Sequence, residues 1–198
     1  MTAIDQTNLR DKVRIAYSAA AEMPQEKHAF PVGRAFAQSL GYPAELLDRL
    51  PAVAADAFAG VSNVSIFAEI PSGARVLDLG CGAGLDALIA ARRVGRSRKV
   101  IAVDFSTAML DRARQAVAEA GVSNLELREA DAEQLPVADE EIDVAMANGI
   151  FNLNPSRDAI FRELARIVRR DGTVFAAELI LSSPLPAEAR ASESNWFA

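Results

Sequence analysis

The hydrophobic rhythm of the chain changes at Pro71. Before it, Leu9, Val13, Ala16, Tyr17 and Ala20 fall on one face of an amphipathic helix. Pro24, Pro31, Pro43 and Pro51 then divide the chain into short helical pieces. Pro43 and Pro51 fit first-turn positions of helices. Residues 1–70 therefore read as a helical cap or lid, not an independent domain.

After Pro71, short apolar runs alternate with helical ones. Strands are predicted over 75–79, 100–103, 125–128, 142–147 and 173–181, and helices over 83–94, 106–120 and 157–169. Ser106 is placed to cap its helix, and Gly95 and Gly121 to stop theirs. The run 125–128 alternates apolar and charged, which suits an edge strand. The run 173–181 is rich in Val, Phe, Ala, Leu and Ile, and reads as an interior strand buried on both faces. The alternation predicts an α/β, doubly wound, mainly parallel sheet with helices on both faces over residues 71–198.

Composition narrows the class. Of 198 residues, 51% are hydrophobic and 24% charged, values of a globular chain. Lys and Arg number 21 against 27 Asp and Glu, a net charge of −6. That balance argues against nucleic acid as a partner, so the basic cluster Arg92, Arg93, Arg96, Arg98 and Lys99 reads as a solvated helix end. Cys81 is the sole cysteine, which excludes an intrachain disulfide and suits a cytoplasmic protein. No metal-spaced His, Asp or Glu set occurs, so no metal is expected. Apolar runs such as 52–64 are short and interrupted by Asp56, so no membrane span is expected.

The chemistry concentrates in Val76-Leu77-Asp78-Leu79-Gly80-Cys81-Gly82-Ala83-Gly84, which leaves a strand and opens a helix. Glycines there let the backbone turn tightly and approach a ligand. The next strand ends in Asp104, 104 − 84 = 20 residues on, where a carboxylate accepts both hydroxyls of a ribose. A dinucleotide loop prefers G-x-G-x-x-G, yet position 85 is Leu. Asp78 would repel a pyrophosphate and attract an ammonium. A ligand with a ribose, an amino-acid ammonium and no phosphate fits better, and S-adenosylmethionine (SAM) is such a ligand. An NAD-binding oxidoreductase is the disfavoured alternative.

Residues 76–84 resemble the first motif of the class I SAM-dependent methyltransferases. Residues 100–110 resemble that family's second strand and helix, and Ala130-Asp131-Ala132-Glu133-Gln134-Leu135-Pro136 its adenine-side loop. The resemblance covers about residues 72–182 and implies a Rossmann-like fold with SAM as cofactor. It implies Asp78 near the SAM amino group, and Gly80, Cys81 and Gly82 against the methionine portion. It implies Asp104 on the ribose, Phe105 and Met109 flanking the adenine, and Asp131 with the Ala132 amide on its edge. Tyr17 would lie over the SAM carboxylate or methyl group.

Asn148-Gly149-Ile150-Phe151-Asn152-Leu153-Asn154-Pro155 resembles the arsenite methyltransferases within that family, as do residues 138–143, Pro184-Leu185-Pro186 and Gly60-Val61-Ser62-Asn63. It implies Asn148 at the cofactor and Gly149, Phe151 and Asn152 lining the acceptor. The group's substrate cysteines are replaced by Val61 and Gly149. Five strands are legible where the family has seven, so the domain is expected to be cut short at the C-terminus. The edge left there, or Trp196 and Phe197, is expected to drive self-association. His28, the sole histidine, reads as a solvated lid residue. The expected activity is methyl transfer from SAM to a small-molecule acceptor by in-line displacement. A non-catalytic SAM-binding protein is the alternative.

Overall fold

In the computed structural model, which describes residues 6–182, five helices come first: α1 (Gln6–Glu22), α2 (Arg34–Ser39), α3 (Ala44–Leu47), α4 (Ala52–Asp56) and α5 (Val64–Phe67). Strands and helices then alternate as β1 (Val76–Leu79), α6 (Leu85–Val94), β2 (Val100–Asp104), α7 (Thr107–Ala120), β3 (Leu125–Glu129), β4 (Ile142–Asn148), α8 (Arg157–Ile167) and β5 (Val168–Ala177). The five strands form one sheet in the order β3-β2-β1-β4-β5, and every neighbouring pair is parallel. This is the expected doubly wound α/β arrangement. The winding reverses between β1 and β4, and ligands of such sheets bind at the C-terminal strand ends beside that reversal.

The two-residue period of the strands assigns side chains to faces. Val76, Val100, Ala102, Val144 and Met146 pack with Ala87, Ala90 and Val94 of α6. Leu77, Leu79, Ile101, Val103 and Ala145 point the other way, onto Ile160, Leu164 and Ile167 of α8. Every residue of β1 and β2 is buried, so Asp78 and Asp104 are carboxylates inside a core.

The cap has no separate core. Ala37, Tyr42, Leu47, Leu50, Ala54 and Phe58 pack onto Leu85, Leu88 and Ile89 of α6 and Ala116 of α7. Pro43 and Pro51 stand just ahead of α3 and α4 with extended ψ near 135° and 131°, one position earlier than a first-turn proline. Gly121 stops α7 in the left-handed region at φ 62°. Among the described residues no helix is long and apolar enough to cross a membrane.

The fifth strand departs from expectation. It spans Val168–Ala177, starts as soon as α8 ends, and is largely exposed. Its register with β4 shifts between Ile142 and Val144, where Asp171 adopts φ 66°. Its inner side pairs with β4, and among the described residues nothing pairs with its outer side. Its apolar content therefore does not become burial: Val174 is 41% exposed, and Leu179, Ile180 and Leu181 beyond it are more so. Pro184, Leu185, Pro186, Trp196 and Phe197 lie outside the described residues.

Ser106 links the cap to the sheet domain. It is fully buried, its Oγ accepts the Met109 amide at 3.3 Å, and it lies 3.0 Å from Ser18 Oγ of α1. Ser106→Ala removes both contacts and is expected to destabilise the fold by about 0.5–2 kcal/mol. Urea denaturation measures it, and an unchanged midpoint would show that the cap contributes nothing.

Candidate cofactor and acceptor cleft

The C-terminal ends of β1, β2 and β4 open into one cleft of about 1070 Å³, counted to its open mouth. The glycine loop forms its base, and Arg10, Val13 and Tyr17 of α1 cover it. Gly80, Gly82 and Gly84 have φ of 72°, 52° and 86°, a region that glycine enters without strain. A Cβ on Gly80 would overlap Ile150 Cγ2.

The amides of this loop face β2, not the cleft. Gly80 and Cys81 donate to Val103 O at 2.8 and 3.0 Å, and Gly82 donates to Asp104 Oδ2 at 2.8 Å. At the start of α6 the Ala87 amide donates to the Asp78 carboxylate. A protein carboxylate thus occupies the positive end of the helix, where a dinucleotide would place its pyrophosphate. The geometry counts against the NAD alternative.

Asp78 is 2% exposed, and its Oδ2 has no hydrogen-bond partner. Burial pushes its carboxyl well above the usual range, and the charges of Asp86 and Asp104 push it further. Asp104 is raised by burial, against the pull of the Ser106, Gly82 and Phe105 amides. The Cys81 thiol is pushed up by burial and then by Asp104 and Asp78, which makes it an inert wall. Tyr17 stacks on Phe30 with ring centroids 4.5 Å apart, and burial raises its phenol.

Several sequence candidates line the cleft together: Tyr17, Asp78, Gly80, Cys81, Gly82, Asp104, Phe105, Met109, Asp131, Ala132, Asn148 and Gly149. Phe105 lies under the Arg14 guanidinium, 5.6 Å from its ring centroid. The Asp131 carboxylate already pairs with Arg10 at 2.5 Å. Phe151 and Asn152 do not line the cleft. Phe151 turns to α8 and stacks on Phe161 at 4.9 Å, because the tight turn after β4 aims it at the opposite face. The Asn152 amide donates to Glu178 at 3.1 Å, and its side chain to Leu179 O at 2.5 Å. Ile150, Leu153 and Asn154 stand in their place. Asn148 lines the cleft, but Val61, Ser62 and Asp86 occupy its amide. His28 bonds Met23 O at 2.9 Å and lies apart from the cleft lining.

Three polar wall residues escaped the sequence reading: Arg10, Asp86 and Glu133. Arg10 stands at i, i+3, i+7 with Val13 and Tyr17, a signal the apolar stripe concealed. Its guanidinium also reaches Glu133 at 3.4 Å, whose second oxygen is buried without a partner.

Residues 70–197 match the methyltransferase-domain family. Arsenite methyltransferase of Halobacterium salinarum is 38% identical over 151 residues, 75% of this chain and 38% of that protein. Phosphatidylethanolamine N-methyltransferase of Cereibacter sphaeroides is 38% identical over 103 residues, 52% of this chain and 49% of that one. The crystal structure of an arsenic(III) S-adenosylmethionine methyltransferase from Chlamydomonas reinhardtii superposes with a TM-score of 0.62 at 25% identity, covering 85% of this chain and 57% of that one. The chain spans less than half the length of the two sequence relatives. A parallel sheet wound about a glycine loop, two buried carboxylates on its central strands and the family match agree: the chain belongs to the methyltransferase-domain family, with the fold of the class I SAM-dependent methyltransferases and similarity to the arsenite group.

Proposed function

We propose that this chain binds SAM in the cleft and transfers its methyl group in line to a small-molecule acceptor. The unpartnered, buried Asp78 Oδ2 carries the reading, because such an oxygen calls for a cationic donor. Asp78 would hold the ammonium, and Asp104, backed by two amides, both ribose hydroxyls. Gly80, Cys81 and Gly82 would pack on the methionine portion, Phe105 and Met109 on the adenine, and Asp131 with the Ala132 amide on its edge. Tyr17 would close over the carboxylate or methyl. When bound, SAM supplies a methyl group on a sulfonium. The chain's own part is to orient, to exclude water and to hold negative charge around a cationic ligand.

The acceptor must bring its own nucleophile. Val61 and Gly149 face each other, and a Cβ on Gly149 would stand 2.8 Å from Val61 Cγ1. These are the positions where the arsenite resemblance calls for thiols, and neither side chain can ligate a soft metalloid. That observation also favours the second reading, a SAM-binding protein without turnover. The single cysteine supports a reducing, cytoplasmic setting. The outer edge of β5, unpaired among the described residues, supports self-association, against which a clean monomer in light scattering would count.

Calorimetry with SAM, S-adenosylhomocysteine and NAD, followed by labelled-methyl transfer to a panel of arsenite, thiols, amines and phenols, tests the function. Binding with transfer supports the enzyme, and binding without transfer the second reading. Preference for NAD would overturn both.

Asp104→Ala is expected to weaken SAM by about 1.5–3 kcal/mol per charge-assisted hydrogen bond lost. Unchanged affinity in a folded variant rejects the ribose role.

The raised Asp78 carboxyl gives SAM binding a pH dependence. In the ligand-free fold burial favours the protonated carboxyl of Asp78, so its contribution to stability is lost as pH rises through the raised pKa. A bound cation favours the ionised form, so binding releases a proton. Affinity and the thermal shift given by SAM should therefore grow as pH rises from the ordinary carboxylate range through the raised pKa of Asp78, below the titration of the ligand's own amino group. Asp78→Asn should flatten the profile, and a flat wild-type profile would reject the assignment.

A further inference from the structure

Residues 60–65 cross from the cap to the sheet, and a buried polar network fixes them there. Asn148, the last residue of β4, has each amide atom engaged. Its Oδ1 accepts the amides of Val61 at 2.8 Å and Ser62 at 3.0 Å. Its Nδ2 donates to Ser62 O at 2.7 Å and Asp86 Oδ2 at 3.0 Å. Asp86, in the first turn of α6 and 6% exposed, accepts at Oδ1 from Tyr42 OH at 2.6 Å, the Ser65 amide at 3.3 Å and the Ser65 hydroxyl. Tyr42 OH also reaches Ser62 O at 3.3 Å. Steric limits agree: a Cβ on Gly60 would stand 2.5 Å from Asn148 Nδ2.

Apolar packing already joins the cap to the sheet domain through Leu47, Phe58 and α6. Adhesion alone does not require a buried charge, which is expensive unless fully hydrogen-bonded. Hydrogen bonds add direction: they set where residues 60–62 stand relative to Gly149.

We propose that Asn148 and Asp86 are positioning residues for the methyl acceptor. Their network fixes residues 60–62 so that Gly60 lines the acceptor end of the cleft and Val61 backs Gly149. Asn148 has no hydrogen-bonding group left for the cofactor. The inference rests on the SAM reading above.

The test uses the full chain, with S-adenosylhomocysteine as the cofactor probe. In Asn148→Ala, exchange of the Val61 and Ser62 amides should rise roughly tenfold, the scale of one hydrogen bond, while β1 amides and the probe's affinity stay within about twofold. For a panel compound that is methylated, KM should rise in this variant. A roughly tenfold loss of probe affinity in Asn148→Ala would overturn the proposal by making Asn148 a cofactor contact. An equal rise of exchange across β1 would make the network merely structural and overturn it, as would an unchanged KM in a folded Asn148→Ala. If wild type failed to bind the probe, the SAM reading would fall, while the exchange arm would still report on the loop.

Discussion

A carboxylate buried where the sheet offers it only partial satisfaction governs the site. Asp78 lies on β1 among apolar neighbours, with one helix amide for a partner and one oxygen for none. Burying such a group without compensation is costly. The fold accepts that cost at the end of its central strand. Around it, the Gly80, Cys81 and Gly82 amides turn to Val103 and Asp104, so the base of the cleft presents carboxylate acceptors. That arrangement is the ground for proposing a cationic ligand with hydroxyls in place of a phosphate.

The cap is coupled to this centre by groups of two kinds. Apolar residues of α2 to α4 complete the core of α6 and α7. Polar residues then fix orientation: Arg10 reaches Asp131 and Glu133, Ser18 meets Ser106, and the Arg112 guanidinium bonds Ala21 O. Helix α1 is held over the cleft by apolar contacts as well, with Ala20 and Ala21 buried against Phe30, Ala83 and Met109.

Much of the fold was legible because local rules and global packing agree. Ser106 and Gly121 mark helix ends through chemistry confined to a few residues. β1 and β2 are apolar runs because helices cover both faces of the sheet. The fifth strand failed for the opposite reason. The apolar run 173–181 would be an interior strand only with neighbours on both sides, and the register shift and one-sided pairing of β5 are tertiary facts.

The site divides the same way. The sequence determined that a glycine loop opens a helix, that Asp78 and Asp104 end adjacent strands, and that no thiol stands at 61 or 149, because each is a matter of residue type and spacing. Tertiary structure decided where side chains of nearby number point. Phe151 and Ile150 are neighbours, yet one faces α8 and the other the glycine loop. Asn148 was readable as a strand-tip amide, but its partners Val61, Ser62 and Asp86 lie 87, 86 and 62 residues away in the chain. Hydrogen bonds over such separations leave no period in a sequence. Only the folded chain brings those groups together, and their pairing ties a strand-tip amide to the loop beside it.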